Sequence, residues 1–115
     1  MNPKWYLFYK DISYPNMAKF SELIQSPVPV LVDFSAEWCG PCQTMAPELK
    51  KLASDLGDKA KIIKIDIDKN QSLANSLNIR SVPTLVLYKE GKPVWRQSGA
   101  MMAQQLKQIL QTYLH

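Results

Sequence analysis

Two cysteines, Cys39 and Cys42, sit three positions apart in the stretch "FSAEWCGPCQTMAPEL" (34–49), with only Gly40 and Pro41 between them. Four chemistries use thiols this close: a structural crosslink, half of a metal site, a nucleophile with a histidine base, and a reversible redox pair. As a crosslink the pair closes a very short ring. It removes only about 2 kcal/mol of unfolded-chain entropy, against about 4.7 for a 100-residue loop. A structural zinc takes four ligands. This chain has no third cysteine and one histidine, His115 at the end of the sequence, so a metal site would need a second chain or an external thiol. His115 is also a poor general base, because such a base must be held in register with its nucleophile. Redox chemistry asks for less: the two thiols and something that stabilises a thiolate.

The element around the cysteines supplies that. Met45, Leu49, Leu52, Ala53 and Leu56 form one helical face, and Gly57 closes it. Cys39 is then expected at the helix N-terminus, where unpaired N–H groups and the helix dipole favour negative charge. Its pKa should be depressed, and the thiolate is the reactive form. Pro41 suits a first helical turn, and Gly40 permits close approach of a partner backbone. Cys42, one turn further in, is expected to be more shielded and ready to attack the sulfur of Cys39.

The remaining chain predicts the elements that hold this loop. "WYLFYKD" (5–11) reads as a strand. "PNMAKFSELIQ" (15–25) places Met17, Phe20 and Ile24 at helical spacing, ended by Pro27 and Pro29. "VPVLVDFSA" (28–36) is the near-continuous apolar run of a strand buried on both faces. "KIIKIDID" (61–68) is a strand, and "NQSLANSLNI" (70–79) a short helix with Asn70 as its cap. "TLVLYKEGKPVWRQSG" (84–99) predicts a hairpin turning at Glu90-Gly91. Met102, Leu106, Ile109, Leu110 and Tyr113 give a closing amphipathic helix.

The order βαβαβαββα predicts an α/β fold, with parallel strands first and an antiparallel hairpin last. That is a mixed sheet of about five strands flanked by about four helices. In such sheets functional groups gather beyond the carboxyl ends of the strands, where the cysteine pair falls.

Composition narrows the function. The 115 residues fit one domain, 1–115, and 46% hydrophobic with 21% charged residues predicts a packed core. The net charge of +4 is scattered, with Lys50-Lys51 its densest spot. Nucleic-acid binders cluster their cations, so no nucleic-acid partner is expected. No apolar run approaches the ~20 residues of a membrane span. The patch Trp5 to Tyr9 is shorter than a signal h-region and no small-residue cleavage site follows. The expected location is therefore the cytoplasm, where a close cysteine pair is more often catalytic or metal-binding than structural.

At "VDFSAEWCGPC" (32–42) the sequence resembles the thioredoxin family. "KIDID" (64–68), "NIRSVPTLVLYKEGKPV" (78–94) and "SGA" (98–100) are similar to further pieces of that family in the same order. The resemblance covers about residues 16–115, and the first 15 fit only loosely, as a first strand. It implies the thioredoxin fold and a protein-disulfide reductase that donates electrons from a dithiol. In that mechanism Cys39 attacks a client disulfide, and Cys42 then attacks Cys39 and frees the client. An NADPH-dependent flavoprotein, a thioredoxin reductase, restores the dithiol. The protein binds no cofactor or metal of its own and works as a monomer.

The resemblance also assigns roles to single residues. Asp33 matches the family's buried carboxylate. It interrupts the apolar run Val30, Leu31, Val32, Phe34, where a charge is costly, and burial would raise its pKa towards proton exchange with Cys42. Lys64 fits its partner. Pro83, after Val82, matches a cis-proline that leaves backbone groups open to an extended client segment. Trp38, Gly40, Pro41, Val82, Gly99 and Ala100 correspond to the apolar rim that contacts clients, and Met101 and Met102 lie beside it. Pro47 is expected to kink its helix. One residue departs from the pattern: Ser35 stands where many relatives carry an aromatic, which should loosen packing beside the active loop. Two rivals share these residues. An oxidase or isomerase is disfavoured by Gly-Pro in the gap, since the resemblance links oxidising relatives to His or Tyr there. A binding module without redox turnover is disfavoured by the presence of both cysteines and Asp33.

Overall fold

A computed structural model gives the three-dimensional structure and describes residues 10–12 and 16–114. The elements run β1 (Lys10–Ile12), α1 (Met17–Ile24), β2 (Val30–Ser35), α2 (Gly40–Leu56), a 3-10 turn (Gly57–Lys59), β3 (Lys61–Asp66), α3 (Gln71–Ser76), β4 (Thr84–Lys89), β5 (Lys92–Ser98) and α4 (Ala103–Gln111). This is the expected order. Of the strand expected over 5–11, residues 5–9 lie outside the described residues, while Lys10 and Asp11 fall in β1.

The strands form one sheet in the order β1-β3-β2-β4-β5. Four have six or seven residues, and β1 adds a three-residue edge. β1 and β2 both pair parallel with β3, whereas β4 pairs antiparallel with β2 and β5. β2 is buried at all six positions, as its near-continuous apolar run predicts. The outer β5 carries Pro93 beside a register shift at Leu87/Tyr88, a position where a missing N–H is tolerated. Glu90 and Gly91 turn the hairpin with positive φ of 51° and 84°. A Cβ at Gly91 would meet only the flexible end of the Gln25 side chain, so it is the positive φ that calls for glycine there.

The sheet's alternation divides the core into two layers. Leu31, Ile62, Leu85 and Leu87 face α2 and α4 and pack on Met45, Leu49, Leu52, Leu56, Leu106 and Leu110. Val30, Val32, Phe34, Ile63, Ile65 and Val86 face α1 and α3, against Phe20, Ile24, Leu73 and Ala74. Each fully buried leucine stabilises the fold by about 1.5–3 kcal/mol. Tyr88 meets Phe20 edge to face at 5.6 Å. Burial pushes its phenol up to about 12, partly offset by the nearby Arg96 charge.

Two local expectations differ from the structure. Met17 is 47% exposed; α1 is eight residues long, and Phe20 and Ile24 suffice to fill its contact with the sheet. Asn70 occupies the N-cap of α3 but makes no capping bond from its side chain. Its amide instead donates to the Asp66 carbonyl at 2.9 Å, tying the helix entry back to the end of β3. Asn16 is the asparagine that caps a helix, its Oδ1 accepting from the Lys19 N–H at 2.8 Å. No helix among the described residues is long and apolar enough to cross a membrane.

Candidate active site

β2 delivers the chain to the cysteines. Beyond Ser35, the Ala36 carbonyl accepts from the Cys39 N–H at 3.2 Å. The Gln43 amide reaches back to the Glu37 carbonyl at 2.6 Å, closing the loop onto the first turn of α2. Cys39 is the N-cap of that helix and Pro41 lies in its first turn. The Cys42 N–H donates to the Cys39 Sγ at 3.2 Å, the contact expected of a helix N-terminus that favours negative charge on sulfur. The two sulfurs are bonded as a disulfide, with the Cα atoms 5.3 Å apart. Both cysteines are buried, at 4% and 5% exposure, so the greater shielding expected of Cys42 is not present in the bridged form. Ala36, Ile67 and Val82 pack against the pair.

Three other segments complete the site. The first is the exit of β3. Asp66 accepts from the N–H groups of Asp68 and Lys69 at 2.8 and 3.1 Å. Asp68 in turn accepts from the Trp38 indole N–H at 2.7 Å, and Lys69 pairs with Glu37 at 3.1 Å. Trp38 is thereby held at one edge while 70% of it stays exposed. Sequence reasoning did not single out Asp66 or Asp68. Their signal was a strand run ending in Asp-Ile-Asp, since aspartate leaving a strand often organises a turn through its own side chain.

The second segment carries the Val82–Pro83 bond, which is cis. Val82 packs on the cysteine cluster, and Pro83 is buried. The third is the end of β5. The Gly99 N–H donates to the Pro83 carbonyl at 2.8 Å, and Gly99 makes this approach at φ 103°, a conformation suited to glycine. Gly99 and Ala100 are exposed, as are Gly40 and Pro41. A Cβ at Gly40 would meet nothing within 4 Å among the described residues. Met101 turns inward, its N–H on the Met45 sulfur at 3.4 Å, whereas Met102 is 59% exposed.

Asp33 is 1% exposed and lies on the α2 face of β2, between Leu31 and Ser35. The parallel register sets it opposite the half-buried Lys64 of β3. Ser35 is fully buried, and its Oγ has no hydrogen-bond partner among the described residues. Beside the looser packing expected there, the structure adds an unsatisfied hydroxyl.

The thioredoxin family model matches residues 11–112. A thioredoxin-like protein of Synechocystis sp. is 50% identical over 98 residues, covering 84% of this chain and 93% of that protein. A thioredoxin of Staphylococcus haemolyticus is 44% identical over 97 residues, covering 84% and 92%. Thioredoxin Y, chloroplastic, of Oryza sativa is 47% identical over 98 residues, and the match spans 84% of this chain but 58% of that longer protein. Among solved structures, a mutant thioredoxin from Halobacterium salinarum superposes with a TM-score of 0.82 at 34% identity, covering 92% of each chain. This chain therefore belongs to the thioredoxin family of protein-disulfide oxidoreductases, and Cys39 and Cys42 are the pair through which it exchanges thiols for disulfides.

Proposed function

We propose that this protein is a dithiol electron donor that reduces disulfides in client proteins. The observation that carries the reading is the Cys42 N–H on the Cys39 sulfur at the α2 N-terminus, beside an exposed tryptophan and the Val82–Pro83 segment. When the bridge is open, that N–H and the helix dipole stabilise a Cys39 thiolate. Cys39 attacks one sulfur of the client disulfide; a Cys39–client bond forms as the client S–S bond breaks, and one client thiolate leaves. Cys42 gives its proton to Asp33 and attacks the Cys39 sulfur. The mixed disulfide breaks, the second client thiolate departs and takes up a proton, and Cys39–Cys42 is left oxidised. Lys64, across the register from Asp33, tunes that carboxylate.

Trp38, Gly40, Pro41, Val82, Pro83, Gly99 and Ala100 form the client-binding rim. Because the Pro83 carbonyl is engaged by Gly99, the main chain of Val82 is the group that pairs with an extended client segment. Thioredoxin-family proteins are recycled by thioredoxin reductase, and an NADPH-dependent enzyme of that kind restores the dithiol here. The protein works as a single domain and a monomer in the cytoplasm, a compartment that keeps thiols reduced.

Trapping tests this directly. A Cys42→Ser protein cannot resolve the mixed disulfide, so it should accumulate client proteins bound through Cys39 when passed over an oxidised lysate. Release of those clients by dithiothreitol, and their absence from a Cys39→Ser control, is the expected result. If Cys42→Ser traps nothing, the exchange mechanism fails.

A further inference from the structure

We propose that Arg96 is a positioning residue for client recognition, because its guanidinium anchors the loop that sets Val82 against the cysteines. The inference rests on the reductase reading and goes beyond it. Arg96 lies on β5, outside the family motifs and far in sequence from both cysteines. Its register partner on β4 is Val86, which faces α1 and α3, so its side chain leaves the outer strand on that side of the sheet. There it forks onto two consecutive carbonyls. Nη1 donates to Leu77 at 2.8 Å and Nη2 to Asn78 at 2.6 Å.

Those carbonyls sit just past the last turn of α3, where helix carbonyls lack intrahelical partners and a cation is favoured. The chain also reverses there, since Asn78 adopts φ 56°, a left-handed conformation that asparagine tolerates better than most residues. Ile79 then plugs into the core, its N–H on the Ala74 carbonyl at 2.9 Å. Only Arg80 and Ser81 remain, both exposed, before Val82 meets the cysteine cluster. β5 holds the far end of the same loop as well. Ser98 lies 3.1 Å from the Thr84 hydroxyl, which itself bonds the Ser81 carbonyl at 2.6 Å, and Gly99 binds the Pro83 carbonyl.

The loop is thus clamped at both ends by one strand, and Arg96 is the clamp at its start. A bidentate grip on two carbonyls is a property of the planar guanidinium; lysine supplies a single point charge. None of these contacts touches the α2 N-terminus that activates Cys39. Removing Arg96 should therefore disorder client docking through Val82 and leave the thiol chemistry in place.

Single-turnover reduction of insulin by the pre-reduced protein reads the two effects apart. For Arg96→Ala the half-saturating insulin concentration should rise about fivefold or more, while the limiting rate stays at the wild-type value. The rate with a small disulfide, hydroxyethyl disulfide, and the Cys39–Cys42 reduction potential should not change. Arg96→Lys should recover part of the insulin affinity, and it carries the same comparison if the alanine variant does not fold. Unchanged half-saturation overturns the proposal. So does a parallel fall in the insulin limiting rate and the hydroxyethyl disulfide rate, which would mark a general structural role. A wild-type protein that leaves insulin disulfides intact refutes the reductase reading, and this inference with it. Wild-type reduction with an unaffected variant refutes the inference alone.

Discussion

Single atoms decide much of what this site does. Asp33 is almost fully buried beneath α2 and aligned with Lys64 across two parallel strands. If it accepts the Cys42 proton, Asp33→Asn should slow release of the mixed disulfide at neutral pH by about a hundredfold or more, the usual scale of a lost general base. Initial attack by Cys39 should be far less affected. Rapid-quench kinetics with a fluorescent disulfide peptide separates the two steps, and equal slowing of both would remove Asp33 from proton transfer. Two residues along the same strand face, Ser35 buries a hydroxyl without a hydrogen-bond partner among the described residues. An unsatisfied buried polar group costs about 1–3 kcal/mol. Ser35→Ala should therefore be as stable as the wild type or more so, by up to about 1 kcal/mol in denaturant unfolding once the lost side-chain contacts are counted. A clear loss of stability would mean that the hydroxyl contributes to the fold. Ser35 stands out in the sequence as a departure, but the consequence depends on what surrounds the strand, and periodicity does not show that.

At the scale of elements, α2 links the site to the rest of the fold. Its N-terminus carries Cys39, and its last two turns bury Leu49, Leu52 and Leu56 against the sheet. It also caps its neighbour. Glu48 accepts from the Ala103 N–H at the start of α4 and from Lys51, each at 3.0 Å. The backbone bond first, and then Lys51, hold its carboxyl below the usual glutamate value. A carboxyl depressed in the fold contributes stability above its unfolded pKa, and that contribution fades as pH falls through the folded value. Glu48→Gln should therefore lower the thermal midpoint near pH 7, and the gap to wild type should close below about pH 4. A gap that persists in acid would show that shape, not charge, ties α2 to α4. Most element positions are legible in the sequence. The run over 28–36, the hairpin at Glu90-Gly91 and the helix running to Leu56 follow from patterns within a few residues. The Asn70 amide turning to Asp66, the Trp38–Asp68 bond and the Arg96 clamp are not legible, because each depends on a tertiary neighbour that local pattern does not encode.

On the scale of the molecule, the sheet order gathers the site from segments that are distant in sequence. β2 ends at the cysteine loop, β3 ends at the aspartates that hold Trp38, and β4 begins at Val82–Pro83. The parallel β2–β3 pair and the antiparallel β4 bring those three ends to the same rim. The Cα radius of gyration is 12.9 Å, close to the roughly 13 Å of a compact fold of about this length. The W-C-G-P-C stretch, with the downstream V-P-T, makes the family legible from the amino acids alone, while the direction of electron flow rests on the whole environment of the pair. The most direct test of that direction is the equilibrium reduction potential of Cys39–Cys42, titrated against a dithiol buffer with thiol trapping. A reductase should lie below the cytosolic glutathione poise, which is about −220 to −260 mV by extraction. A potential well above that poise, or the lack of any reversible disulfide, would contradict the account: the first would mark an oxidant or isomerase, the second a binding module.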